Sequence, residues 1–219
     1  MTISVIGLNH KSANIDIREK FSFTADSASL LLRRIKKVRD IQEVIVVSTC
    51  NRTEIYCESA NGSDDIKNWL LSEKEYKSFA RHLYIHQEED AIEHLFKVVA
   101  GLDSMVIGES EVLGQVKTAY KIALDNKSID GKLKRLFEYS FSVAKNVRTN
   151  TDIGGNAISF MYTSILLIKK IFSTVEEKKC LLIGAGEMTE LALKYLKSNN
   201  VNDITICNRK EEKGKKLAL

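Results

Sequence analysis

Apolar and polar positions set out a first run of strands and helices, beginning with strand-like patterning over Thr2 to Leu8. Ala25 to Val38 has the spacing of an amphipathic helix, and Glu43 to Val47 with Thr53 to Ser59 reads as a strand pair around a polar loop. A helix over Asp64 to Leu71 and a strand over His82 to His86 follow. The order β-α-β-β-α-β is that of a ferredoxin-like sandwich. From residue 88 to about 174 the period turns helical. Ile92, Leu95, Val99 and Leu102 share one face, Val112, Val116, Tyr120 and Ala123 a second, and Ile158, Met161, Ile165, Ile168 and Phe172 a third. After residue 179 come a buried strand, Cys180 to Ile183, a glycine turn, a helix from about Glu187 to Lys197 and a strand over Asp203 to Cys207.

The pattern predicts an α/β chain in two parts. Residues 1–155 form a ferredoxin-like α+β domain with added helices. Residues 156–219 form a linker helix and the start of a Rossmann-type domain, with Gly154 and Gly155 at the break. A doubly wound domain needs further strands after the second, so the 219 residues read as a truncated form whose dinucleotide domain is incomplete.

Composition changes this picture little. With 44% hydrophobic and 28% charged residues the chain is an ordinary globular one. Its four cysteines lack paired spacing and its N-terminus lacks a secretory pattern, which suits a reduced, cytoplasmic protein with no metal site. The most apolar stretch, Ile158 to Ile168, is too short and too interrupted to span a bilayer. The net charge of +4 is unevenly spread. Arg33, Arg34, Lys36, Lys37 and Arg39 crowd one helix end, and residues 131 to 150 hold five basic residues against one acid, Glu138. Such patches suit an RNA backbone or are solvated helix faces.

Candidate chemistry centres on Ser48-Thr49-Cys50-Asn51-Arg52-Thr53-Glu54, directly after the apolar run Val44 to Val47. A thiol there sits at the mouth of a buried strand among polar neighbours, a poor way to line a core. Arg52 could lower the thiol pKa or hold a substrate carboxylate. Cys57 alternates with Thr53, Ile55 and Ser59 on one strand face, opposite Glu54, Tyr56 and Glu58, and reads as structural.

The second centre is Gly184-Ala185-Gly186, placed between strand and helix as a phosphate loop requires. Thr189 occupies the third glycine position of that motif. Arg209, after Asn208 at the end of the following strand, replaces the acid that would hold a ribose hydroxyl, so NADP is favoured over NAD. A Rossmann-like fold that binds nothing is the alternative.

Together these residues resemble the glutamyl-tRNA reductases of tetrapyrrole synthesis. The resemblance runs through Gly7-Leu8-Asn9-His10-Lys11, Ile17-Arg18-Glu19-Lys20, the Ser48 to Glu54 cluster, Gly101-Leu102-Asp103-Ser104 with Gly108-Glu109, Leu113-Gly114-Gln115, Asp152-Ile153 and Gly184-Ala185-Gly186-Glu187-Met188. It implies that residues 1–155 are a catalytic glutamyl-tRNA-binding domain. Cys50 would form a thioester with the glutamyl group, and NADPH would reduce it to glutamate-1-semialdehyde. It also implies substrate-binding roles for Thr49, Asn51, Arg52, Ser104, Glu109, Ser110, Glu111 and Gln115, and an activity-linked role for His94. On sequence alone His94 is a lone helical histidine beside an apolar face, which is usually a packing or surface residue. NADPH would lie on Gly184 through Thr189, with Asn208 and Arg209. The implied partners are glutamyl-tRNA, a second copy of the full-length chain in a homodimer, and an aminotransferase that takes the semialdehyde, with no membrane. Glu111 departs from the glutamine common at its position in the family, losing amide donors and adding a charge.

Three readings compete. The first is the reductase, whose truncated form retains ester cleavage and loses reduction. The second is a non-catalytic fragment or relative that binds tRNA or a partner. The third, a shikimate-type dehydrogenase, leaves the Cys50 cluster unexplained.

Overall fold

The computed structural model describes residues 1–109, 111–151, 153, 160–172 and 174–218. The chain divides into two compact units, Met1–Ala157 and Ile158–Leu219. Gly154 and Gly155 lie outside the described residues.

The first unit is built on four strands, β1 (Thr2–Asn9), β2 (Ile41–Ser48), β3 (Arg52–Ser59) and β4 (Tyr84–Gln87), in the order β2-β3-β1-β4. Every neighbouring pair is antiparallel, the arrangement of a ferredoxin-like sheet. Strands β1 and β3 pair along their whole length, from Thr2 opposite Ser59 to Asn9 opposite Arg52. Gly7 allows that closeness, because a Cβ there would stand 2.6 Å from the Thr53 carbonyl oxygen and 2.8 Å from Glu54 Cγ.

Helices cover both faces, so all eight residues of β3 are buried. On one side lie α2 (Ala25–Ile35) and α3 (Ser63–Ser72), the latter near Cys57. The short α1 (Ile15–Lys20) precedes them and α4 (Lys74–Lys77) follows. On the other side lie α5 (Glu88–Val99), α6 (Glu111–Asp125) and α7 (Lys132–Asn150), which meet β1, β2 and β3. Toward these helices point Glu54, Tyr56 and Glu58, which meet His94 on α5 and Phe137 and Lys132 on α7. Continuous burial replaces the half-buried alternation of an exposed sheet.

Several boundaries move for physical reasons. Helix α2 stops at Ile35, with Arg33 and Arg34 in its last turn and Lys36, Lys37 and Arg39 past its end. The strand expected over His82 to His86 is preceded by a 3-10 turn at Ala80–His82, which shifts it to Tyr84–Gln87. Leu102 is not on the α5 face; the helix ends at Val99, Gly101 turns with φ +79°, and Leu102 is 40% exposed in the following loop. The long α7 has no counterpart among the three faces expected from sequence. It starts at Gly131 without a side-chain cap of its own. The buried Glu43 carboxylate on β2 serves instead, accepting from the N–H groups of Asp130, Gly131 and Leu133 at 2.7 to 2.8 Å. Burial would raise this carboxyl, but the three N–H groups hold it below its ordinary range.

The second unit pairs β5 (Cys180–Ile183) with β6 (Ile204–Cys207) in parallel register. Helices α8 (Phe160–Ile171) and α9 (Glu187–Ser198) precede and link them, and α10 (Glu211–Ala218) follows. Ile165, Val175, Leu196 and Val201 form the core with Leu182 and Ile204. Phe172 lies past the end of α8 and is 44% exposed, while Ile158 falls outside the described residues. No helix among the described residues is long and apolar enough to cross a membrane.

Candidate active site

The strand pair β2–β3 closes through three residues, Thr49, Cys50 and Asn51. The Thr49 N–H donates to the Arg52 carbonyl at 2.8 Å, and Thr49 Oγ1 accepts from the N–H groups of Asn51 and Arg52 at 3.2 and 3.1 Å. Thr49 thus shapes the turn that presents the thiol. The His10 N–H fixes the turn to β1 by donating to the Asn51 carbonyl at 2.9 Å.

Cys50 is exposed, whereas Cys57 is fully buried beside Ser4 with its thiol pushed up to about 11 by burial. Burial of its surroundings and the charges of Glu109 and Glu111 also raise the Cys50 thiol, opposed by Arg18. The principal opposing cation is therefore Arg18, not the neighbouring Arg52. Helix α1 delivers it: Asn14 caps the helix by accepting from the Ile17 N–H at 3.1 Å, and Arg18 donates to the Ala13 carbonyl at 2.8 Å and the Cys50 carbonyl at 3.4 Å. Neutralising Glu111 has a definite sign. Glu111→Gln is expected to lower the Cys50 pKa, moving the pH midpoint of iodoacetamide labelling toward neutrality.

Arg52 is 2% exposed and lies beneath the turn. It donates to Glu54 Oε1 at 2.7 Å and to both the carbonyl and the carboxylate of Asp103. Asp103 also pairs with Lys11. Glu54 is wholly buried and accepts from Arg52, from Tyr84 at 2.6 Å and from His94 Nε2 at 2.8 Å through Oε1, and from Tyr56 at 2.7 Å through Oε2. Burial alone would raise its carboxyl; the Arg52 charge and the His94 and Tyr84 hydrogen bonds hold it well below the carboxylate range. His94 is stacked on His86 at 4.8 Å. It reaches the turn through Glu54 and Arg52 and, among the described residues, makes no hydrogen bond to Cys50.

The Gly101 to Glu109 loop is closed by the Gly108 N–H donating to the Gly101 carbonyl at 3.0 Å, both glycines having positive φ. Among the described residues, Ser104 Oγ and His10 Nδ1 are buried atoms without a hydrogen-bond partner, the condition that a polar ligand relieves. Glu109 is 8% exposed, its carboxyl raised by burial and then by Glu111 and lowered by Arg52. Glu111 begins α6 and Gln115 lies one turn later on the same face. Ser110 lies outside the described residues.

Sequence reading missed Glu54, Asp103, Arg18, Tyr84 and His10 as site members. For Glu54 a signal existed: it follows Arg52 at the same-face spacing of a strand.

In the second unit the turn fits a dinucleotide phosphate. Gly184 has φ +112°, and a Cβ at Gly186 would have nothing within 4 Å. Gly186 stands at the N-cap of α9 without a side-chain cap, leaving backbone N–H groups for an anion. Ala185, Glu187, Met188 and Thr189 complete the turn and the helix start, and Met188 is exposed. Asn208 Nδ2 donates to the Lys210 carbonyl at 2.7 Å, and Arg209 is exposed.

Comparison with known proteins matches both units. Residues 6–151 match the family described as glutamyl-tRNAGlu reductase, N-terminal domain, and residues 166–219 match shikimate / quinate 5-dehydrogenase. Glutamyl-tRNA reductases of Idiomarina loihiensis and Xylella fastidiosa are 40% and 43% identical across all of this chain, which covers 52% and 50% of their lengths. The solved structure of glutamyl-tRNA reductase from Methanopyrus kandleri is 26% identical with a TM-score of 0.62, over 99% of this chain and 51% of that one. The chain spans about half the length of the curated relatives it matches. With the first unit matched almost end to end, the chain belongs to the glutamyl-tRNA reductase family.

Proposed function

We propose that the protein carries out the NADPH-dependent reduction of glutamyl-tRNA to glutamate-1-semialdehyde, opening tetrapyrrole synthesis. The observation that carries this reading is the exposed Cys50 thiol on a rigid hairpin turn, flanked by Arg18 and the buried Arg52. The Cys50 sulfur attacks the ester carbonyl carbon, an S–C bond forms, and the C–O bond to the terminal ribose breaks. The ribose oxygen takes up a proton, equivalent to the one that the thiol gives up.

Glu109 and Glu111 disfavour the thiolate in the free protein, and a substrate changes that balance. The α-ammonium of a glutamyl ester complements the two carboxylates, which removes their effect on the thiol as it binds. We assign its side-chain carboxylate to Arg18 and Arg52, and its remaining polar atoms to Ser104 and His10. Asn51 and Gln115 complete the proposed contacts, with His94 and Glu54 holding Arg52 from beneath.

Residues Gly184 to Thr189, Asn208 and Arg209 would hold NADPH. When bound there, that cofactor would supply the hydride for the reduction, and release of the aldehyde would leave the Cys50 thiolate to take up a proton. An aminotransferase would take the aldehyde, and the full-length protein would act as a homodimer.

The acidic pair beside the thiol favours a second reading, a tRNA-binding relative without turnover. Intact-protein mass spectrometry after mixing with glutamyl-tRNA separates the two. A glutamyl adduct on Cys50 supports the reductase, and bound tRNA without an adduct supports the second reading.

A further inference from the structure

The sequence leaves two basic patches unassigned, and the structure treats them differently. In the first, Arg34 pairs with Glu73 and lies over Trp69, Arg33 donates to Asn126 and Lys36 to the Gln42 carbonyl, so much of its donor capacity is spent within the fold. The second contributes to an open groove of about 460 Å³ between α6 and α7, where Lys117, Ser142, Lys145, Arg148 and Thr149 line it together with the apolar Leu113 and Phe141. Among the described residues no carboxylate lies within ion-pair distance of Lys117, Lys145 or Arg148. Lys117 instead lies over the Phe141 ring at 5.7 Å.

This groove adjoins the reactive loop. Arg148 Nη1 donates to the Gly108 carbonyl at 3.2 Å, and Gly108 precedes Glu109, whose charge acts on the Cys50 thiol. Three cations and two hydroxyls around Leu113 and an aromatic ring make a surface suited to a chain of phosphodiesters.

We propose that the α6–α7 groove binds the sugar-phosphate backbone of the tRNA strand leading to the esterified ribose. This rests on the proposed reductase reading, since that reading puts the ester at Cys50. Arg148 ties the groove to the Gly108–Glu109 segment, so phosphate seating and positioning of that segment share one side chain. Phosphate contacts of this kind position the strand without reading its sequence.

The test compares the wild-type chain, Lys117→Ala/Lys145→Ala and Lys117→Arg/Lys145→Arg. Glutamyl-tRNA binding is measured across salt concentration, beside Cys50 acylation by a glutamyl ester of adenosine that lacks the tRNA body. The alanine pair is expected to bind tRNA about tenfold more weakly, with a salt slope reduced by about 1 to 2, while the arginine pair keeps both. Acylation by the small ester should be unchanged in all three. Wild-type-like tRNA affinity and salt slope in the alanine pair would overturn the groove while leaving the reductase reading intact. Equal loss in the arginine pair, or loss of small-ester acylation, would assign the effect to packing and overturn it as well. If the wild-type chain neither binds tRNA nor is acylated by either ester, the reductase reading fails and the groove assignment falls with it.

Discussion

Cys50→Ser is expected to leave glutamyl-tRNA binding intact and to abolish the covalent adduct, with a loss of turnover of at least about 10³-fold. The chain contains three other cysteines, and their environments explain why none should substitute. Cys57 is buried with its thiol pushed up to about 11, while Cys180 and Cys207 lie in the second unit on paired strands. Serine preserves the size of the side chain and the turn made by Thr49, so the loss isolates the sulfur. No base hydrogen-bonds to the Cys50 sulfur among the described residues, so a serine hydroxyl would have no acceptor for its proton. Thiolate supply instead depends on pH and on the charges of Arg18, Glu109 and Glu111. Adduct formation in the wild-type chain is accordingly expected to rise with pH toward the alkaline range, followed by quenched mass spectrometry. Adduct formation by the serine variant at the wild-type rate would remove Cys50 from the mechanism.

The second large effect is expected at Glu54. Glu54→Ala leaves the Arg52 guanidinium buried with Asp103 as its remaining acidic partner and strips Tyr56, Tyr84 and His94 of their acceptor. Removing one side of a buried ion pair costs about 3–5 kcal/mol, measurable as a lower urea midpoint. Because the folded state depresses the Glu54 pKa, its contribution is present above the unfolded carboxylate value of about 4.3 and is lost as pH falls below it. The wild-type chain should therefore lose more stability than Glu54→Gln between neutral pH and pH 3. Parallel acid curves for the two would show that the ionised carboxylate contributes nothing.

These two sites differ in how far the sequence disclosed them. Cys50 was legible because polar residues interrupt an apolar run at one point, and a local break of pattern needs no tertiary knowledge. The strand order was legible for the same reason, since period 2 and period 3.6 are local properties. Glu54 was hidden because its partners come from β3, β4 and α5, and a charge facing inward looks like any solvated strand residue. Arg18 was hidden because only a short helix capped by Asn14 brings it to the turn. The end of α5 was misjudged because Leu102 continues the apolar period, whereas the backbone leaves the helix at Ala100 and reverses at Gly101. The Rossmann start was read from its turn glycines, whose conformational demand is written in single residues.

The cap on α7 has a kinetic side. A helix normally carries its own starting signal, so its first turn can form early and on its own. Helix α7 borrows that signal from Glu43, which lies 87 to 90 residues earlier in the chain. Closing so long a loop precedes any gain from the three N–H contacts, so the start of α7 belongs to the late, non-local part of folding. During synthesis β2 leaves the ribosome well before α7 does, and the growing chain can thus hold the acceptor in place before the donors arrive. Unfolding should run the other way, with the first turn of α7 fraying as soon as β2 leaves the sheet.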